Sequence, residues 1–576
     1  MDLTIRNATI VDGTGAPARQ GDVGIDSGRV VAVTEPGDTR LDGSTRTIDA
    51  SGLVLTPGFI DPHTHYDAQI LWDPTASPSS IHGVTTVIAG NCGFTLAPLL
   101  PGDADYLRRM MARVEGMPLA ALENGTDWGW ETFADYIARI EGSISVNAGF
   151  LAGHCAIRRY VMGPEAVGSE ADADQIAAMR AELARCIDAG ALGFSFTNST
   201  SHSDGDGEPV ASRWATSDEL IALSEEVGLH EGTTLEGIVP GCLDRFTDDE
   251  IELIAKMSAA ANRPMNWNVL TVDSREADRV PRQLQAYDRA VELGGKVVAL
   301  TMPVQVPMNM SFLTFCGLWL LPGWQDVLGV PVAERIERLN DPDVRLQLLE
   351  SSKSQEAGVF RRLADFGDYV IGDTYSPANA GLKGRIVREI AAERGQSSFG
   401  TLLDIVIADD LRTILWPIPQ DNDAESWRMR AELWQDPRAM IGGSDAGAHL
   451  DRMCGAPYPT RWLKDCLRGK KLTTVENAVR MMSSAPAALF GLVDRGVLRE
   501  GAHADVVVLD PETVGAEDAT LVNDLPGDSA RLTAGSIGVV RVLVNGVPVV
   551  VDGIATGAVP GKVLKSGRDT ATVTAR

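Results

Sequence analysis

The sequence predicts an α/β protein: a parallel (β/α)8 barrel with a small β-sandwich built from both chain ends. Three observations predict it. From about residue 56 to 490, short apolar runs alternate with helical stretches in about eight strand–loop–helix units, the pattern of parallel strands joined by crossover helices. Polar residues capable of chemistry fall where those runs stop, and barrels place their chemistry at the C-terminal ends of strands. Outside this region the pattern is β alone. The expected division is 1–56 and 491–576 for the two parts of the sandwich and 57–490 for the barrel, with an insertion at about 303–365.

The N-terminal part reads as strands broken by turns. Asp2 to Val11 ends at Asp12-Gly13-Thr14-Gly15, Val23 to Val33 holds a hairpin signal at Asp26-Ser27-Gly28, and Thr45 to Leu55 is a third strand region. Pro57 and Gly58 interrupt the run, which Phe59 and Ile60 resume before Asp61-Pro62-His63-Thr64-His65. Residues i and i+2 of a strand share a face. His63 and His65 therefore project side by side, which suits two imidazoles on one metal ion. Two polar residues at an ordinary strand end is the plainer alternative.

The barrel pattern follows. Thr85 to Ala89 reads as a strand ending in Gly90-Asn91-Cys92-Gly93, and Ser145 to Ala152 as one ending in Gly153-His154-Cys155. Asp172 to Ala189 is expected to be helical, with Ile176, Met179, Leu183 and Ile187 on one stripe. A strand is expected over 191–196, a helix over 217–227 capped by Ser217, and a strand over 229–235. Helices over 248–262 and 281–293 alternate with strands over 264–272 and 296–302, and a last strand over 438–443 runs into Ser444-Asp445. The insertion, with Trp319-Leu320-Leu321-Pro322-Gly323-Trp324, shows no clean period and reads equally as a lid or as peripheral packing. Beyond 490 short strands return at 496–498, 504–510, 539–545 and 547–551.

Composition narrows the function classes. With 44% hydrophobic and 23% charged residues the chain is an ordinary globular sequence. A formal net charge of −28 argues against nucleic acid and acidic membrane surfaces as partners, since both are polyanions. The first residues, Met1-Asp2-Leu3-Thr4-Ile5, lack the basic and apolar regions of a signal peptide. Seven cysteines without paired spacing suggest a reducing cytoplasm. The oligomeric state is not set by the sequence, and a homo-oligomer stays open.

The ordered motifs resemble the amidohydrolase superfamily and, within it, the N-acyl-D-amino-acid deacylases. They are Pro57-Gly58-Phe59-Ile60-Asp61-Pro62-His63-Thr64-His65, Gly83-Val84-Thr85-Thr86-Val87, Gly90-Asn91-Cys92-Gly93, Gly153-His154, Gly190-Ala191-Leu192-Gly193-Phe194-Ser195, Gly443-Ser444-Asp445, and the tail Gly496-Val497-Leu498 to Gly501 with Ala504-Asp505-Val506-Val507-Val508. The resemblance implies a distorted metal-binding barrel, a small-molecule amide as substrate, and Zn2+ or another divalent ion; one ion per chain is expected. It implies His63, His65, Cys92 and Asp445 as metal ligands, with Asp445 also the general base and acid. His154, Arg158, His202, His449 and Arg452 are weaker candidates for substrate contact; a supporting or solvated role competes for each.

The chain also departs from the deacylase pattern. Two further zinc histidines are expected at the ends of the strands near 232–236 and 266–270, where Thr234 and Asn268 stand, and a family lysine is replaced by Leu270. Neither Thr nor Asn is a good zinc ligand. Three readings follow: a remodelled site of His63, His65 and Asp445 with Cys92 nearby; substitution by His154 or His202; or a metal-poor, non-catalytic relative. A cyclic or otherwise different amide is the alternative substrate.

Overall fold

The structure is a computed structural model that describes residues 1–575. Eight parallel strands form the barrel: β1 Phe59–Asp61, β2 Val84–Ala89, β3 Asn147–Phe150, β4 Gly193–Thr197, β5 Thr234–Ile238, β6 Pro264–Trp267, β7 Lys296–Thr301 and β8 Ala439–Ile441. Parallel pairing runs from β1 to β3 and from β4 to β8. The short continuation Ala152–Gly153 links β3 to β4 through Ala152 opposite Phe194. A parallel bridge between Thr64 and Ala446 closes the ring, and His65 N–H donates to Ala446 O at 2.8 Å.

The barrel is distorted at β3. The C-terminal strand Val563–Leu564 pairs with Ala148 and Gly149, so only the Ala152–Gly153 stretch of this strand is left to meet β4. The strands carry long apolar runs, as expected when helices cover the outside and side chains fill the inside. Val84, Val87 and Ile88 of β2 and Phe194 and Phe196 of β4 are fully buried.

Both chain ends meet in one nine-stranded sheet. Val54–Pro57 pairs parallel with Leu3–Ile10 and antiparallel with Val506–Leu509. The expected run 53–60 is thus two strands of different sheets, separated by Gly58. A Cβ at Gly58 would stand 2.1 Å from Thr85 Oγ1, so only glycine lets the chain cross here.

Local signals explain several helix starts. Ala173–Ala189 begins with a capping box between Asp172 and Gln175, and Asp248–Ala261 with one between Thr247 and Glu250. The helix Ser217–Gly228 is capped by Thr216, whose side chain accepts from Glu219 N–H, and not by Ser217. β5 begins at Thr234 rather than near Leu229, because Leu229 follows directly on that helix and is 73% exposed.

By compactness the chain forms two units. One comprises Met1–Val304, Asp423–Leu450 and the chain from Cys454 on; it contains the barrel and the nine-stranded sheet. The other is Gln305–Asn422 with Asp451–Met453, which continues well past the insertion read from sequence. It has its own core, with Trp324 fully buried against Phe366 and Phe399. Among the described residues no helix is long and apolar enough to cross a membrane.

Candidate metal centre and active site

Three strand ends bring the central side chains together. His63 and His65 follow β1, with ring centroids 5.3 Å apart. Cys92 follows β2 in a turn where Gly90, Cys92 and Gly93 all have positive φ, at 78°, 54° and 75°. Asp445 follows β8, also left-handed with φ 51°. Such a conformation costs a non-glycine residue about 1–3 kcal/mol and is tolerated where the surroundings dictate it.

His63 Nε2 lies 3.5 Å from Cys92 Sγ and 3.3 Å from Asp445 Oδ1. His65 Nε2 lies 3.9 Å from the same Asp445 oxygen. Single ligand atoms of His63, His65 and Cys92 all fall within 4.8 Å of one another. Ligand atoms about 2.0–2.3 Å from a tetrahedral ion stand about 3.3–3.8 Å apart, so the two His63 distances fit a zinc-sized ion, and the 3.9 Å from His65 to Asp445 lies just outside that range. His63, His65 and Cys92 are at most 5% exposed, while the Asp445 side chain retains 20%.

Burial dominates the electrostatics. It pushes the Cys92 thiol and the Glu236 carboxyl well above their ordinary values and the His63 imidazole well below its own. It lowers His65 to about 3 and raises Asp445 to about 7, the latter helped by the nearby Asp61 charge and opposed by a hydrogen bond from Asn268. The protein alone therefore favours neutral forms. A divalent cation is what would reverse this for the thiol and the carboxylates. The donor set, soft thiolate, imidazole and carboxylate, matches zinc chemistry.

Two glutamates that sequence reasoning missed complete the cluster. Glu236 of β5 is fully buried; Cys92 N–H donates to its Oε2 at 2.6 Å, and its Oε1 lies 3.7 Å from His63 Nδ1. Glu115, just after the helix Ala104–Val114, places Oε1 3.5 Å from His65 Nδ1. The residue of β5 that reaches the cluster is thus Glu236 and not Thr234, whose hydroxyl donates to Pro264 O at 3.0 Å near the start of the strand. The period-two rule would have found Glu236 had the strand been begun at Thr234. Glu115 follows a helix and left no strand-end signal. Asn268 does reach the site, donating Nδ2–H to Asp445 Oδ1 at 3.0 Å.

The weaker candidates are placed elsewhere or differently. His154 is fully buried with Nδ1 2.9 Å from Ser212 Oγ and Nε2 2.9 Å from Glu219 Oε1. Arg158 is also fully buried, and its Nε donates to the same Glu219 oxygen at 2.9 Å. Both meet Glu219 of the helix Ser217–Gly228, and their other polar atoms go to Ser212 for His154 and to the Ala166, Ser169 and Ala211 carbonyls for Arg158, so neither joins the histidine pair. His202 is half-buried, packs edge-on against Phe94 and pairs with Thr197 Oγ1 at 2.8 Å. His449 lies four residues past Asp445 and its backbone N–H donates to Glu115 O. Arg452 belongs to the second unit, 2.9 Å from Asp451 and stacked over Phe315.

Comparison with known proteins gives the family. A family model described as "Amidohydrolase family" matches residues 46–550. The chain is 28% identical over 570 residues to a D-aminoacylase of Alcaligenes xylosoxydans xylosoxydans, covering 98% of this chain and 97% of that one. It is 29% identical over 576 residues to an N-acyl-D-aspartate deacylase of the same organism, covering 98% and 95%. Among solved structures, the N-acyl-D-glutamate deacylase of Bordetella bronchiseptica, complexed with zinc and a phosphonate mimic of the tetrahedral intermediate, superimposes with a TM-score of 0.63 at 25% identity, covering 98% of this chain and all of that one. With eight parallel strands, a histidine pair at the end of the first and a match along nearly its whole length, the chain belongs to the amidohydrolase family.

Proposed function

We propose that this chain is a metal-dependent hydrolase of a non-peptide C–N bond, cleaving the amide of an N-acyl amino acid of D configuration. The observation that carries it is the convergence of His63, His65 and Cys92 beside a partly exposed Asp445 whose Oδ1 faces both histidine Nε2 atoms. His63, His65 and Cys92 would hold one divalent ion, with Asp445 within reach of it. When bound, the ion polarises the scissile carbonyl and makes a water acidic enough to attack near neutral pH.

The chain's own groups do the rest. Asn268 fixes Oδ1 of Asp445, leaving Oδ2 to receive the proton of the attacking water. The same carboxyl then delivers that proton to the leaving nitrogen, so that amide and water give an acid and an amine. Backbone geometry supports the placement: a Cβ at Gly443 would lie 2.1 Å from Asn268 Oδ1, so glycine there admits the amide that orients Asp445.

The test is turnover of N-acetyl-D-amino acids by zinc-loaded protein. Hydrolysis lost in Asp445→Asn with the metal retained is expected; no turnover of any N-acyl-D-amino acid by loaded protein would sink the proposal. One observation favours a second reading, hydrolysis of an amide lacking a free carboxylate. Leu270, standing where the deacylase resemblance implies a lysine, is apolar and 1% exposed. Turnover of a cyclic amide but not of N-acyl-D-amino acids would select it.

A further inference from the structure

The two histidines present opposite edges to different partners. Both Nε2 atoms face Asp445 Oδ1, at 3.3 and 3.9 Å. Both Nδ1 atoms face a buried carboxylate instead: Glu236 Oε1 at 3.7 Å behind His63 and Glu115 Oε1 at 3.5 Å behind His65. The two glutamates come from unrelated elements, a barrel strand and the end of a helix, yet they take equivalent places. His63 Nδ1, His65 Nδ1 and Glu236 Oε1 are all buried without a hydrogen-bond partner. Glu236 is already fixed through its other oxygen by Cys92 N–H. His63 Nδ1 and Glu236 Oε1 are therefore complementary unsatisfied atoms 3.7 Å apart, and His65 Nδ1 faces Glu115 Oε1 at 3.5 Å.

We propose that Glu236 and Glu115 are positioning residues that hold His63 and His65 as Nδ1–H tautomers, so that both Nε2 lone pairs point at the ion. The inference rests on the metal reading above. A metal-binding imidazole ordinarily donates its other N–H to such an acceptor, which fixes the ring and raises its basicity as a ligand. Neutral imidazole has one lone pair, and a proton on Nε2 would remove it from the site. Glu236 does a second thing in the same place, because its grip on Cys92 N–H holds the thiol turn against the ring it orients.

Metal affinity and spectroscopy test this independently of turnover. Apo protein, Glu236→Gln and Glu115→Gln are titrated with Zn2+ against a competing chelator, and each is saturated with Co2+ for its absorption spectrum. Circular dichroism of the apo forms establishes that the variants fold. Each substitution is expected to weaken Zn2+ binding about 10–100-fold. One ion per chain at saturation and the wild-type Co2+ thiolate band are expected to survive, since no ligand is removed. Affinities within twofold of wild type overturn the inference. So does a saturated Glu236→Gln spectrum with altered coordination, which would make Glu236 a ligand itself. Wild-type protein that takes up neither ion overturns the metal reading and this inference with it, whereas normal wild-type uptake with unshifted variants overturns this inference alone.

Discussion

Asn268 Nδ2 donates to Asp445 Oδ1 across 3.0 Å, joining the end of β6 to the end of β8. Asp445 is thereby held with one oxygen occupied and the carboxyl plane set. Asn268→Ala should lower kcat by about 10–100-fold through loss of that orientation, with KM little changed. Steady-state kinetics on metal-loaded protein reads the split; a raised KM at unchanged kcat would place Asn268 in substrate binding instead.

Gly443 carries φ 88° and stands against that same asparagine. Gly443→Ala adds both left-handed strain and an overlap with Asn268 Oδ1. The expected outcome is a loss of at least about 2 kcal/mol of stability together with the Asn268→Ala kinetic defect. Chemical denaturation and kcat, measured on one preparation, check both.

Glu219 holds His154 and Arg158 in a fully buried cluster. Removing the carboxylate strands a buried guanidinium, which costs about 3–5 kcal/mol. Glu219→Ala should lower the Tm by many degrees, or prevent soluble expression, while any folded fraction binds Zn2+ normally. Weakened metal affinity in folded protein would contradict a purely structural role for His154 and Arg158.

His82 gives a pH dependence that does not involve the metal centre. It is fully buried between Thr460 Oγ1 at 2.7 Å and Ala534 O at 3.0 Å, and burial lowers its pKa from 6.5 to about 4. The unfolded chain binds this proton near 6.5 and the folded chain only near 4. Its stabilising contribution is therefore complete above pH 6.5 and is lost as pH falls toward 4. At about 1.4 kcal/mol per unit the whole effect is about 3 kcal/mol. Thermal melts at pH 7.5 and 5 should show a smaller drop in Tm for His82→Gln than for wild type; equal drops would remove His82 from the acid response.

The barrel was legible because its evidence is repetitive. Strand runs such as Thr85 to Ala89 and Lys296 to Met302 announce themselves by composition, and caps such as Asp172 fix helix starts within a residue. It was legible that His63, His65, Cys92 and Asp445 stand at the ends of apolar runs, but so does His154, which pairs with Ser212 and Glu219 instead; the ligand roles came from the resemblance. Glu236 was not legible, because the register of β5 depends on where the preceding helix stops, and Leu229 to Gly232 carries no strong breaker before Gly232. Glu115 was not, because it reaches His65 from a helix terminus through tertiary packing alone. The Val54 to Phe59 run looked like one strand with an interruption. Only pairing partners far along the chain, Val506–Leu509 for one side and Val84–Ala89 for the other, assign its halves to separate sheets.

That division at Gly58 makes the barrel inseparable from the chain ends. Five residues before His63, the backbone leaves a sheet whose other members include Leu3–Ile10 and Val506–Leu509, while Val563–Leu564 is stitched into β3. A fragment trimmed to the barrel would lose the tether of its first strand and leave its third strand with a bare edge. The unit of engineering is therefore the barrel together with these end strands, and grafting new termini, tags or fusion partners disturbs the metal centre less when they are attached outside these strands than when either end is shortened into them.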